Sequence, residues 1–266
     1  MNTFEYVRPT TVGDAVAALA GDEAVALAGG QTLLPTLKQR LATPSTVVDL
    51  RGIADLGGIV VHGGSVGIGA TTTHADVANS ADLKSALPAL CALADGIGDP
   101  QVRHMGTIGG SVANNDPAAD YPSAMLALDA TIKTNKRELS AGDFFQGLFT
   151  TALEEGEIIT GIGIALPKRA AYAKYEQRAS RYALVGVFVA ETDAGIRVAV
   201  TGAGNDGVFR AEAIEQALAG NLSGDAARGV KISPDGMLSD IHASAEYRAA
   251  MVSEIAAEAV EKMLAG

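Results

Sequence analysis

The chain has 266 residues, 48% of them hydrophobic, with 31 Gly and 9 Pro; this fits one large or two modest globular domains and excludes a disordered or collagen-like chain. Twenty Lys and Arg against thirty-one Asp and Glu leave a formal charge of −11, a poor match to a nucleic-acid groove or an anionic membrane surface. The single cysteine, Cys91, excludes an internal disulfide, a zinc cage and an iron–sulfur cluster held by this chain alone.

The N-terminal stretch from Met1 to Pro9 has no apolar signal core, and no segment approaches the ~20 apolar residues of a membrane span. A soluble, cytoplasmic protein is expected. Thr11 and Asp14, at capping-box spacing, predict a helix to Ala20. A short strand over Ala24 to Ala28 ends in Gly29-Gly30, and a second helix follows with Leu33, Leu34, Leu37 and Leu41 on one face. Thr46 to Leu50 reads as a strand. The runs Ile59 to Val61 and Val66 to Ile68 read as a hairpin turning at His62-Gly63-Gly64. Helices are predicted over His74 to Ala78, Leu83 to Leu93 and Tyr121 to Leu128. Beyond Pro167-Lys168-Arg169 the character changes. Ala183 to Glu191 and Ile196 to Thr201 flank a tight turn, an antiparallel hairpin, and helices follow over Ala211 to Ala219 and Ala245 to Leu264. The pattern is α+β in two parts with a seam near residue 168, without the long regular βαβ rhythm of a doubly wound sheet.

Two glycine segments stand out. Ala28-Gly29-Gly30-Gln31-Thr32-Leu33-Leu34-Pro35 links a strand to a helix, and Gly106-Thr107-Ile108-Gly109-Gly110-Ser111 repeats the pairing of two glycines with a hydroxyl residue. Such loops bring bare N–H groups against a ligand, and a helix N-terminus adds partial positive charge, so a phosphate can be held without lysine. Thr32, Thr107 and Ser111 could add hydroxyl donors. Either loop alone reads as a tight turn; together they point to a dinucleotide held between subdomains, without saying which one. Gly202-Ala203-Gly204-Asn205-Asp206-Gly207 matches G-x-G-x-x-G, but no acidic strand end follows at the expected distance of about 20 residues. It is read as a strand-to-helix turn.

With these loops in view, the sequence resembles the FAD-binding medium subunit of the molybdenum hydroxylases, the carbon monoxide dehydrogenase and xanthine dehydrogenase group. The matching stretches are residues 28–35, Gln101 to Asn114, Asp116 to Pro122, Arg178 to Val185, and Ser239 to Arg248. The resemblance implies a two-lobed FAD-binding domain of the vanillyl-alcohol-oxidase type (1–168), then a small α+β C-terminal domain with an antiparallel sheet (169–266). It places Ala28, Gly29, Gly30, Gln31, Thr32 and Leu33, with Thr107, Ile108, Gly109, Gly110 and Ser111, around the FAD diphosphate. Asp120 would accept a hydrogen bond from the cofactor and Asn114 would shape that wall. Ile97 would neighbour the cofactor, Ile159 its adenine end, and Tyr182 the flavin ring. It further implies a small [2Fe–2S] subunit, a large molybdopterin subunit, a dimer of heterotrimers, and no catalytic residue in this chain. Electrons would come from the clusters and leave to NAD⁺, oxygen, a quinone or another acceptor.

Other residues read as structural. His62, His74, His104 and His242 have no metal-ligand spacing, and His104 reads as a solvated loop histidine. Asp116, before Pro117, reads as a turn cap, Arg178 and Arg181 as surface charges, and Cys91 as part of a buried helical stripe. Val252, Ile255, Ala259 and Met263 form one core-facing stripe. Two alternatives stay open: a free-standing flavin oxidase or reductase with its own substrate pocket, and an assembly module that has lost its cofactor.

Overall fold

The computed structural model describes residues 1–266. The chain builds an α+β structure around three main sheets. The first is parallel and three-stranded, in the order Glu5–Val7, Thr46–Asp49, Ala24–Leu27. Parallel neighbours need crossovers, and the helices Val12–Leu19 and Leu33–Lys38 lie in them. Thr11 caps the first helix by accepting from the Asp14 amide at 3.1 Å. The second helix is shorter than its leucine spacing predicts. Arg40 turns into the left-handed region at φ +61°, and Leu41 is left exposed beyond the helix end.

The second sheet is antiparallel, in the order Ile59–His62, Ser65–Gly69, Ile159–Ala165, Thr131–Thr134, Glu138–Ser140. Gly63 and Gly64, at φ +58° and +81°, close the predicted hairpin. Two positive φ values in succession give the turn whose twist matches its strands. The helix predicted over Leu83 to Leu93 is two helices, Ala81–Ala86 and Pro88–Asp95. Pro88 forces the break, because the residue before a proline avoids the helical region and Leu87 sits at φ −146°. Helices His74–Asn79, Pro100–Arg103, Ile108–Asn114, Tyr121–Ala127 and Ala141–Phe144 also belong to this lobe, whose largest buried side chains include Tyr121 and Phe144.

The third sheet, in the order Arg169–Glu176, Ala183–Thr192, Gly195–Thr201, Phe209–Arg210, is also antiparallel. Its long strand is buried from Ala183 to Ala190, which explains an unbroken apolar run where alternation would be ordinary. Val185, Val187 and Val189 pack with Val252, Ile255 and Ala259 of the helix Ala245–Ala265, while Phe188 and Ala190 join the core of the second lobe. The sheet is therefore mortised into its neighbour through its opposite face. Gly202, at φ +82°, ends the strand Gly195–Thr201, and its amide donates to Pro117 O at 2.7 Å. That strand is antiparallel to its neighbours, so the glycine motif after it is a turn without the βαβ frame of a dinucleotide fingerprint. Arg248, 3% exposed, donates to Leu184 O and Gly202 O at 2.7 and 2.6 Å and to Asp240 at 2.8 Å. The stretch from Ser239 to Arg248 thus fastens the C-terminal helix to the sheet. No helix is long and apolar enough to cross a membrane.

Candidate cofactor site

The three units meet around a cavity of about 780 Å³, within the roughly 300–1,000 Å³ typical of small-molecule and cofactor sites. The first lobe contributes the segment after Ala24–Leu27, the second contributes the start of Ile108–Asn114 and the turn to Asp120, and the third contributes Ser180, Arg181 and Tyr182. Fifteen of the residues singled out by resemblance line it: Ala28 to Leu33, Ile97, Thr107, Gly109 to Ser111, Asn114, Asp120, Ile159 and Tyr182. Ile108 does not. It is the first residue of its helix, and its side chain is turned into the core of the second lobe, fully buried.

The two glycine loops touch. A methyl on Gly29 would sit on the carbonyl oxygen of Met105 and 2.6 Å from Gly106 Cα. Gly29 is thus a glycine because two backbones pass at contact distance, whereas Gly30, at φ +72°, is one because of its conformation. Gly109 packs against Ala70, and Gly110 faces Ala28 across mostly open space.

The two loops also differ in their hydrogen bonds. The backbone N–H groups of Ala28, Gly29, Gly30, Gln31 and Thr32 find no acceptor within the chain. At the second loop, Ile108 N donates to Thr72 O, Gly109 N to Ala70 O, Gly110 N to the Thr107 hydroxyl and Ser111 N to Thr107 O, all within 3.1 Å. The expectation of bare amides on both loops therefore holds only for the first. The second offers the Thr107 amide, the unpartnered Ser111 hydroxyl and the space left by Gly110.

Asp120 is 4% exposed and lines the cavity. Its Oδ1 accepts from the Tyr172 hydroxyl at 2.6 Å and from Lys174 Nζ at 2.9 Å, and Oδ2 has no partner in the chain. Burial pushes its carboxyl up in pKa, against the downward pull of the Lys174 ammonium and the Tyr172 hydroxyl. Burial, then the charges of Asp116 and Asp120, raise the Tyr182 phenol. Asp116 Oδ1 accepts from Ala118 N at 2.9 Å, the turn cap that Pro117 suggested. His104 is exposed, with Nδ1 2.7 Å from Pro100 O. No group of three or more His, Cys, Asp or Glu side chains is placed to hold a metal ion.

Several lining or supporting residues were not legible beforehand. Asn115, at φ +44°, ends the helix Ile108–Asn114, and its Nδ2 donates to Gly147 O and Thr150 O at 2.8 and 2.9 Å, pinning the hairpin Phe145–Thr151. Tyr172 and Lys174 stand two apart on one strand, hence on one face, and that spacing inside a β run was the available signal. His74, 5% exposed, lines the cavity beside Gly106.

Burial, with Arg103 nearby, lowers the His74 imidazole to about 4 from an ordinary 6.5. Between those values the unfolded chain binds a proton that the folded chain does not. Stability from this group is complete above about pH 6.5 and lost as the pH falls toward 4, by up to about 3 kcal/mol. Urea unfolding of the cofactor-free chain across that window is expected to show a slope that His74→Gln lacks. Parallel profiles for the two proteins would assign the slope to other groups.

The family described as FAD binding domain in molybdopterin dehydrogenase matches residues 2–168. The chain belongs to this family. The carbon monoxide dehydrogenase medium chain of Afipia carboxidovorans is 37% identical, over 98% of this chain and 96% of that protein. The nicotine 6-hydroxylase medium subunit of Paenarthrobacter nicotinovorans is 35% identical, over 95% and 94%. The crystal structure of quinoline 2-oxidoreductase from Pseudomonas putida 86 matches at a TM-score of 0.91 and 30% identity, covering 100% of this chain and 98% of that one. The chain is an FAD-binding subunit of a molybdenum-containing oxidoreductase. The site suits that cofactor: a row of free amides for a diphosphate, a gap at Gly110 that any side chain would fill, and a carboxylate oxygen of Asp120 without a partner in the chain.

Proposed function

We propose that this chain is the electron-transfer subunit of its complex, taking electrons from [2Fe–2S] clusters of a small subunit and delivering them to an external acceptor. A large molybdopterin subunit would oxidise the substrate, and the assembly would be a cytoplasmic dimer of heterotrimers. Residues 1–168 would form the FAD-binding domain and 169–266 the domain closing its open side. The supporting observation is the row of unpartnered amides from Ala28 to Thr32 facing a cavity in which Arg181 is the sole cationic lining residue. An acidic chain can hold a diphosphate there through main-chain dipoles alone.

Bound flavin supplies exchange between one-electron and two-electron carriers. The chain's residues bind, orient and shield it. The amides of the first loop and the Ser111 hydroxyl would hold the diphosphate, and Ile159 would line the adenine end. Asp120 Oδ2 would accept a hydrogen bond, while Ile97 and Tyr182 would flank the ring and exclude water. One cysteine, Cys91, buried in its helix, leaves the clusters to another subunit.

Co-expression with the flanking reading frames tests the reading. A yellow complex with stoichiometric FAD, an iron–sulfur subunit and a molybdopterin subunit is expected, its flavin absorbance bleaching when the complex oxidises its substrate. A yellow chain that purifies alone and turns over a substrate would establish the free-standing oxidase instead. A colourless complex would leave an assembly module.

A further inference from the structure

Lys174 sits mid-way along the edge strand Arg169–Glu176, and its side chain is 7% exposed although it carries a charge. An ammonium has three donors, and here each is used: Gly96 O at 2.9 Å, Asp120 Oδ1 at 2.9 Å and Arg181 O at 2.8 Å. The three acceptors belong to three separate stretches of the cavity wall. Gly96 precedes Ile97, Asp120 itself lines the cavity, and Arg181 precedes Tyr182. Lys174 does not line the cavity, so anything it does for a ligand passes through these neighbours.

Other cations reinforce one of these stretches. Arg103 Nη1 donates to Ile97 O and Gly98 O at 3.1 and 3.0 Å, and Arg181 Nη1 reaches Gly98 O at 3.4 Å. Lys174 alone joins that stretch to both Asp120 and the 177–182 loop. Without it, the loop keeps its internal bonds, Gln177 N to Tyr182 O and Arg181 N to Gln177 O, and the Arg181 side-chain contact.

We propose that Lys174 is a positioning residue of the cofactor site, one ammonium that sets Ile97, Asp120 and the Tyr182 loop relative to one another. This rests on the FAD reading above. A generic buried ion pair would need charge opposite Asp120 and nothing more. A positioning role needs a point-like cation with three divergent donors, which a planar guanidinium does not reproduce.

Lys174→Arg keeps the charge opposite Asp120, so it preserves the ion pair, while Lys174→Met removes it. Two readouts are taken on the full chain: the FAD dissociation rate with the visible circular dichroism of the bound flavin, and trypsin cleavage after Arg178 and Arg181 in the cofactor-free protein. Both variants are expected to release FAD at least tenfold faster, alter the flavin dichroism, and be cut in the loop at least tenfold faster. Wild-type behaviour of folded Lys174→Arg in both assays would overturn the proposal, whether or not Lys174→Met folds. If the wild-type chain binds no FAD, the FAD reading fails; the trypsin assay still decides whether Lys174 holds the loop.

Discussion

Gly110→Val is expected to yield a folded chain that retains less than about a tenth of its FAD, whereas Gly29→Ala is expected to damage the fold itself. The contrast follows from what a side chain would meet. At Gly110 a Cβ comes within 2.9 Å of the Thr107 hydroxyl and 3.8 Å of Ala28 Cβ, with open cavity beyond. Disturbing that cap costs about 1 kcal/mol, and valine is no worse than glycine inside a helix. The fold therefore survives while the valine methyls occupy the gap between Ala28 and the helix. At Gly29 the obstruction is backbone of the neighbouring loop, Met105 O and Gly106 Cα, which no rotamer change relieves. Overpacking of this kind costs about 1–3 kcal/mol or more, a loss of several degrees in melting temperature. Thermal unfolding together with flavin stoichiometry separates the two. Full flavin content in Gly110→Val would remove the second loop from the site.

Asp120→Ala is expected to be more damaging than the loss of one cofactor contact. It strands the buried Lys174 ammonium and leaves the Tyr172 hydroxyl without its acceptor. Breaking a buried pair by removing one partner typically costs about 3–5 kcal/mol. Asp120→Asn is the more informative change, because its side-chain oxygen still accepts from Tyr172 and Lys174. Its amide nitrogen, however, places a donor where Asp120 Oδ2 offers an acceptor. The expected result is a moderately less stable protein whose FAD dissociation constant rises about ten- to a hundredfold, the scale of about 1–3 kcal/mol for a buried polar group left unmatched. Titration of the cofactor-free variant measures this directly. An unchanged constant would make Asp120 a purely structural anchor for the third sheet.

Much of this architecture was legible in the residues. Strong local signals survived into the structure: the Thr11 cap, the Gly63-Gly64 turn, the strand before Gly29 and the long C-terminal helix. The errors came where a local rule was overlooked or a non-local contact decided. Pro88 split an apparently continuous leucine stripe. The side chain of Ile108, inside a glycine motif, packs into the core of the second lobe, which the motif alone does not reveal. Gly29 and Gly30 looked equivalent in sequence, but one answers to a neighbouring backbone and the other to its own φ angle. Lys174 and Tyr172 carried no motif. Their importance depends on Asp120, more than fifty positions earlier, and no periodicity encodes that pairing.

The unsatisfied donors between strand and helix in the first lobe also bear on how the subunit matures. A main chain left with spare N–H groups gains from any anion that arrives, so coenzyme and polypeptide are thermodynamically linked, and saturation raises the melting point by mass action. By that linkage the cofactor-free chain would be the weaker form and the loaded chain the durable one. Vitamin supply would then help set how much of this subunit persists.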